Sequence, residues 1–229
     1  MPLSRFYFLF SIFLLSIFYF LFFPTGTKAD YLSYVSDAIS NSAPSVSVNH
    51  TISFTASSSI PASGKIIITP QAGAFPIPSD LDYTDVDFLV AGVQKVLTST
   101  PGSGAGSAIG ASIVNGTSGS FTFTLNDTDA IGAASAVIIR IGTNAVFGAT
   151  GDKQIQNPSA TSSYKIDIKT YTSANTLIDR GQARVAIVAP VTVTAGKQTT
   201  CGDRFCEGSE NCSNCPADCG ICPAAPPAG

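Results

Sequence analysis

The sequence predicts an all-β protein: an antiparallel sandwich of about 9–10 strands followed by a small disulfide-stapled C-terminal module. Three observations carry that expectation. Through residues 30–197 short apolar runs recur between clusters of Gly, Pro, Ser and Asn. No stretch there has the 3.6-residue periodicity of an amphipathic helix. All six cysteines fall at positions 201–222, so the larger part of the chain must fold on its own hydrophobic core.

In chain order, the first element is an export segment. Arg5 precedes a run from Phe6 to Phe23 that is apolar except for Ser11 and Ser16, Pro24 breaks it, and Thr27 and Ala29 are small residues placed for a signal peptidase. Basic, apolar and small-residue regions in that order predict a signal peptide over residues 1–29. The run is longer than most signal cores and just short of a comfortable membrane span, so an uncleaved anchor competes with cleavage. Both readings place residue 30 onward outside the cytoplasm. There is no cysteine near the cut site, which excludes a lipoprotein anchor.

Residues 30–197 supply the predicted sandwich domain. Ile52, Phe54 and Ala56 alternate with polar residues, as do Phe121, Phe123 and Leu125, and again Tyr164, Ile166 and Ile168. Side chains alternate faces along a strand, so each run presents one buried and one wet side. Ile66-Ile67-Ile68 and Val137-Ile138-Ile139 suggest central strands. The stretch 86–97 reads as two strands about Ala91-Gly92, where glycine permits a tight hairpin. Runs at 183–189 and 191–195 flank Pro190, which suits an edge or a bulge. The stretch 98–111, rich in Gly, Ser and Ala, reads as a long surface loop. Regular turn spacing favours an immunoglobulin-like sandwich over a closed barrel. Residues 198–222 form the predicted Cys-rich module, and 223–229 a Pro/Ala linker or tail.

Charge excludes some functions. Residues 30 onward carry ten Lys and Arg against fifteen Asp and Glu. A mildly acidic chain with no basic run is a poor partner for nucleic acid, and a membrane partner is expected only through the N-terminal segment if it stays uncleaved.

No catalytic residue is assigned. His50 is the only histidine, no G-x-S-x-G elbow occurs, and no glycine loop joins a strand to a helix as a phosphate cradle would require. No cofactor is expected except calcium, for which two acidic groups are candidates. Asp80, Asp82, Asp85 and Asp87 lie within eight positions, and hard oxygen ligands at short spacing suit that ion. The competing reading makes Asp80 and Asp82 turn caps and puts Asp85 and Asp87 on the wet face of a strand, alternating with Val86 and Phe88. Asp203, Glu207, Glu210 and Asp218 form the second group, and a solvated acidic surface on a tiny stapled fold competes there. Asn126-Asp127-Thr128-Asp129 reads as a turn. Asn49, Asn115, Asn126 and Asn211 head sequons that matter only where the source glycosylates them.

Cys201, Cys206, Cys212, Cys215, Cys219 and Cys222 form an even, tightly spaced set in an exported chain and read as disulfides. The pairs Cys212/Cys215 and Cys219/Cys222 are C-x-x-C spacings, but only three residues part them, too few for an ordinary zinc fold. Six cysteines allow fifteen pairings, and the spacing selects none. The segment from Cys201 to Cys222 resembles the short repeats C-G-D-G-x-C…E-x-C-x-x-C-x-x-D-C-G of secreted and surface proteins of bacteria and archaea, with Arg204 where the pattern has Gly. The stretches Asn49-His-Thr-Ile-Ser-Phe54, Ile60-Pro-Ala-Ser-Gly-Lys-Ile66, Asp82-Tyr-Thr-Asp-Val-Asp87, Ile155-Gln-Asn-Pro158 and Ser163-Tyr-Lys-Ile166 resemble Ig-like domains of secreted prokaryotic surface proteins. That resemblance implies a non-catalytic structural or adhesive role at the cell surface or in the secreted fraction, with a cell-envelope component, a glycan or another protein as partner. The alternative expectation is a glycan- or cell-wall-binding module, with or without calcium.

Overall fold

The alternation in the sequence is converted directly into two faces of sheet. The computed structural model describes residues 29–148, 150–190, 201–202, 204–206 and 210–223. The predicted export segment through residue 28, the predicted strand at 191–195, Asp203, Glu207 and residues 224–229 of the predicted tail lie outside the described residues. The chain divides into two compact units, Met1–Ala189 and Pro190–Gly229.

The first unit holds fourteen strands among the described residues. They are β1 (Asp30–Tyr31), β2 (Ser33–Ile39), β3 (Ser47–Val48), β4 (His50–Thr55), β5 (Lys65–Pro70), β6 (Val86–Val90) and β7 (Val93–Lys95). Next come β8 (Leu97–Thr98), β9 (Ile109–Val114), β10 (Ser120–Thr124), β11 (Ala136–Ile141), β12 (Ile155–Gln156), β13 (Ser162–Tyr171) and β14 (Leu177–Ile187). Ten of these run three residues or more, and the other four are two-residue pairings. One sheet has the order β1-β14-β13-β5-β10-β9-β8, the second β2-β4-β11-β6-β7, and β12 pairs with β3. Pairings are antiparallel except β1 with β14 and β8 with β9.

The two large sheets close over a shared core. Ile66, Ile68, Phe121, Phe123, Ile166 and Ile168 come from the first sheet, and Ile52, Phe54, Phe88, Val137, Ile139 and Ile141 from the second. Their polar sequence neighbours face outward, as in β10, where Phe121 and Phe123 are buried and Ser120, Thr122 and Thr124 are half-exposed. Burying such side chains is the main favourable term in the fold. The predicted hairpin at 86–97 is β6–β7, with Ala91 (φ 49°) and Gly92 (φ 79°) at its tip. Positive φ at both central residues gives the turn twist that matches paired strands.

Three elements differ from expectation. The loop predicted for 98–111 ends at 108, because Ile109 starts β9. Gly110 is needed there, since a Cβ at that position would lie 2.5 Å from the Pro101 ring. The strand expected from 183 begins at Leu177 and runs unbroken through Gly181. β2 carries only Val35 and Ile39 as partly buried apolar anchors, so its sequence has little strand signal. It bulges between Ser33 and Ser36, where Tyr34 takes φ 51°.

Candidate functional site

The acidic segment 80–87 is a set of backbone staples. Asp82 caps a 3₁₀ turn at Tyr83–Asp85, its Oδ1 accepting from Thr84 N at 2.8 Å, while Asp85 Oδ2 accepts from Asp82 N at 3.1 Å. Asp85 Oδ1 also accepts the amides of Asp152 (2.8 Å) and Lys153 (2.9 Å). On β6, Asp87 accepts the amides of Val146 (3.1 Å) and Phe147 (3.0 Å) and lies 3.6 Å from Arg140. Asp85 is 2% exposed and Asp87 1%, so the expected wet-face placement of both is wrong. They are buried because the loop after β11 folds over the start of β6 and points its unpaired amides at them. A carboxylate buried against such donors is satisfied rather than stranded. Asp80 is exposed and pairs with Lys153 at 3.1 Å. Hydrogen bonds to Asp80 and Asp152 raise the Lys153 pKa above its usual value. The four carboxylates do not converge on a point. Among the described residues only Cys201, Cys215 and Asp218 bring three ligand-type atoms within 4.8 Å of one another.

His50 is buried at the start of β4, its Nδ1 2.7 Å from Asp37 Oδ2 on β2 and its ring edge-on to Phe75 at 5.9 Å. The turn after β10 behaves as expected, with Asn126 Oδ1 accepting from Thr128 N and Asp129 N. Its carboxylates also hold the long loop. Asp127 accepts from Ser103 Oγ (2.6 Å) and Gly104 N (2.7 Å), and Asp129 from Gly106 N (2.7 Å). These bonds depress both pKa values, led by Ser103 for Asp127 and by the Asn126 amide for Asp129. Of the sequon asparagines, Asn49, Asn115 and Asn126 spend their side chains on internal hydrogen bonds.

In the second unit the bridges are Cys201–Cys215, Cys206–Cys219 and Cys212–Cys222. A four-residue helix, α1 (Pro216–Cys219), carries Asp218, whose carboxylate accepts the amides of Gly202 and Arg204 (2.8 Å for Arg204) and so ties the first turn to the helix. Arg204 has φ 75°, the left-handed conformation that the pattern's Gly would adopt without strain. Glu210 is half-buried, and its carboxylate is not brought into the Cys201/Cys215/Asp218 group.

The feature that sequence reading missed lies on the outward face of β5, β13 and β14. Lys65, Lys165, Lys169, Arg180 and Arg184 project there, five of the chain's 12 basic residues, with one carboxylate, Asp167. The register sets Lys165 opposite Arg184 and Lys169 opposite Arg180, with Asp167 opposite Gln182 between them. Like charges directly across a strand pair are destabilising. Gln182 Nε2 donates to Asp167 Oδ1 at 2.7 Å. Beside this ladder is a groove lined by Tyr31, Asp167, Lys169, Arg180, Gly181 and Gln182. Arg180 lies over the Tyr31 ring, 4.8 Å from its centroid, and its Nη2 donates to the Tyr31 hydroxyl at 2.7 Å. Gly181 lets the β1–β2 crossover approach, since a Cβ there would meet Val35 and Leu32 within 3.0 Å. Tyr31 is 63% exposed and Tyr34 86%. In sequence the cations are singly spaced and read as ordinary wet-face residues. The available signal was their mirror spacing, K-x-D-x-K and R-x-Q-x-R, about one tight connection.

No known family model matches the chain, and no curated protein matches it. Solved structures give distant likenesses. The bacterial hydrophobin BslA is 11% identical, with 68% of this chain and 96% of that chain covered and a TM-score of 0.38. A non-cellulosomal cohesin from the archaeon Archaeoglobus fulgidus is 8% identical, covers 67% and 90%, and has a TM-score of 0.35. The collagen-binding domain of a Staphylococcus aureus adhesin is 8% identical, covers 67% and 95%, and has a TM-score of 0.34. At these values the likenesses assign no function, and the chain's own residues must supply it.

Proposed function

We propose that this protein is a non-catalytic structural or adhesive module of the cell surface or secreted fraction, acting through the faces of its sandwich. One observation carries the reading. The side chains best suited to acid–base work, Asp37 with His50, Asp85 and Asp87, are buried and used as internal hydrogen-bonding partners. A general acid or base must reach a substrate proton, and these groups face the protein. The division into an export segment 1–29, a sandwich 30–197, a disulfide module 198–222 and a tail 223–229 belongs to the same proposal. Three disulfides support an oxidising compartment. Fractionation of the native cells with thiol labelling tests it: the protein is expected in the envelope or medium with no free thiol, and intact protein in the cytoplasm with six free thiols overturns it.

A second reading, a glycan- or cell-wall-binding module, is favoured by the groove beside Tyr31. It does not require calcium, since the carboxylates at 82, 85 and 87 already accept hydrogen bonds. Binding to isolated cell walls with and without chelator tests that reading; a chelator-sensitive interaction would return calcium to the site.

A further inference from the structure

We infer that the outer face of the β13–β14 hairpin, with Tyr31 at its rim, is a binding site for an acidic polysaccharide. The inference rests on the surface-module reading and names the ligand class for it. An acidic chain concentrates its cations on three neighbouring strands, in two like-charge cross-strand pairs that the free protein holds at a cost. Such an arrangement is relieved by a bound anion, which turns both repulsions into shared attractions.

The pattern along the hairpin selects the kind of polyanion. The pair Lys165/Arg184 and the pair Lys169/Arg180 are four residues apart on β13, roughly 13 Å at the rise of a strand. Between them the Asp167–Gln182 pair offers an anionic acceptor and amide dipoles. A polymer with a charge on every unit would set one charge against Asp167. A glycan in which anionic sugars alternate with neutral ones sets hydroxyls there, which donate to the carboxylate. The exposed Tyr31 ring offers an apolar surface with a polar tip, suited to the C–H face of a sugar. Its contact with Arg180 fixes the guanidinium before binding, so less side-chain freedom is lost when the ligand docks.

The experiment uses purified full-length protein and measures binding to hyaluronate, in which a carboxylate sugar alternates with a neutral one, keratan sulfate, in which a sulfated sugar alternates with a neutral one, neutral dextran, poly-L-glutamate and single-stranded DNA across a NaCl series. Both acidic polysaccharides should bind, more weakly as salt rises, with neutral dextran not binding and the polypeptide and DNA weaker by roughly tenfold or more. Preference between the first two probes identifies carboxylate or sulfate as the anion. Lys165→Glu and Lys169→Glu should each weaken polysaccharide binding roughly tenfold. The same substitutions should hold or raise the melting temperature, because each places a carboxylate opposite an arginine. That separates loss of the site from loss of the fold. Tyr31→Ala should weaken polysaccharide binding and leave the residual poly-L-glutamate binding unchanged. Absence of polysaccharide binding, equal binding of DNA or poly-L-glutamate, or unchanged affinity in both Lys→Glu variants would overturn the site. A protein found at the surface that binds no polyanion refutes this inference alone; one found reduced in the cytoplasm refutes the surface role, whatever it binds.

Discussion

Phe88 of β6 and Phe123 of β10 meet across the sandwich, ring centroids 5.1 Å apart and planes tilted by 49°. Each ring is fully buried, and each comes from a different sheet. Cutting either ring to a methyl group leaves a cavity that the paired strands around it are poorly able to collapse. Phe123→Ala should cost about 3–5 kcal/mol in a urea melt of the first unit and leave all three disulfides formed, as read by mass mapping. A cost below about 1 kcal/mol would show that the two sheets are not held by this contact.

Asp87 faces two loop amides and Arg140 from inside the fold. Asp87→Ala strands both amides at once and should destabilise the unit by about 2–4 kcal/mol. Exchange of the Val146 and Phe147 amides should accelerate first. Chelator should leave the melting temperature of wild-type protein unchanged; a chelator-sensitive melt would place a cation among these oxygens.

The loop tied to Asp127 and Asp129 should respond to acid. Both carboxylates have folded-state pKa values below the usual 3.8. Their stabilising effect is therefore complete above about pH 3.8 and is lost as the pH falls through the lower folded values. Protection of the Gly104 and Gly106 amides, taken relative to their intrinsic exchange rate at each pH, should be high at neutral pH and fall as the solution is acidified below that point. Asp127→Asn with Asp129→Asn should loosen the loop at neutral pH, and unaltered protection in that variant would show that something else holds it.

Among the described residues of the second unit, Phe205 and Ile221 are exposed, and Cys215 is the one buried apolar residue. Sulfur bridges therefore take the place of a core, as expected in chains below about 40 residues. Reduction under native conditions should unfold this unit and leave the main melt of the first almost unchanged. Arg204→Gly should raise the reduction resistance of the unit by removing a strained left-handed residue, provided the Asp218 bonds persist. A large fall in the main melting temperature on reduction would show the two units to be energetically coupled.

How much of this was legible in the sequence depends on distance along the chain. Phe121 and Phe123, or Tyr164, Ile166 and Ile168, declare their faces through neighbours two residues away, and the structure keeps those faces. The β6–β7 hairpin was equally local. Asp85 and Asp87 were misread because their partners lie 59–68 residues away, and alternation with Val86 and Phe88 is silent about a loop that covers the strand end. The basic ladder was invisible for the same reason. Lys165 and Arg184 are 19 positions apart, and only the hairpin register makes them neighbours.

The parallel pairing of β1 with β14 has a mechanical meaning. Asp30 and Tyr31 lie alongside Asp179 and Arg180, and Leu32 N donates to Arg180 O at 2.9 Å. Tension between the beginning of β1 and the end of β14 would draw these two strands past each other lengthwise. Their bonds would then be loaded together in shear instead of parting one after another like a zip. The Tyr31–Arg180 contact spans this joint. A polymer lying across both side chains would cross-link the strands under load, so the place where the protein grips would also be the place where it resists being pulled open.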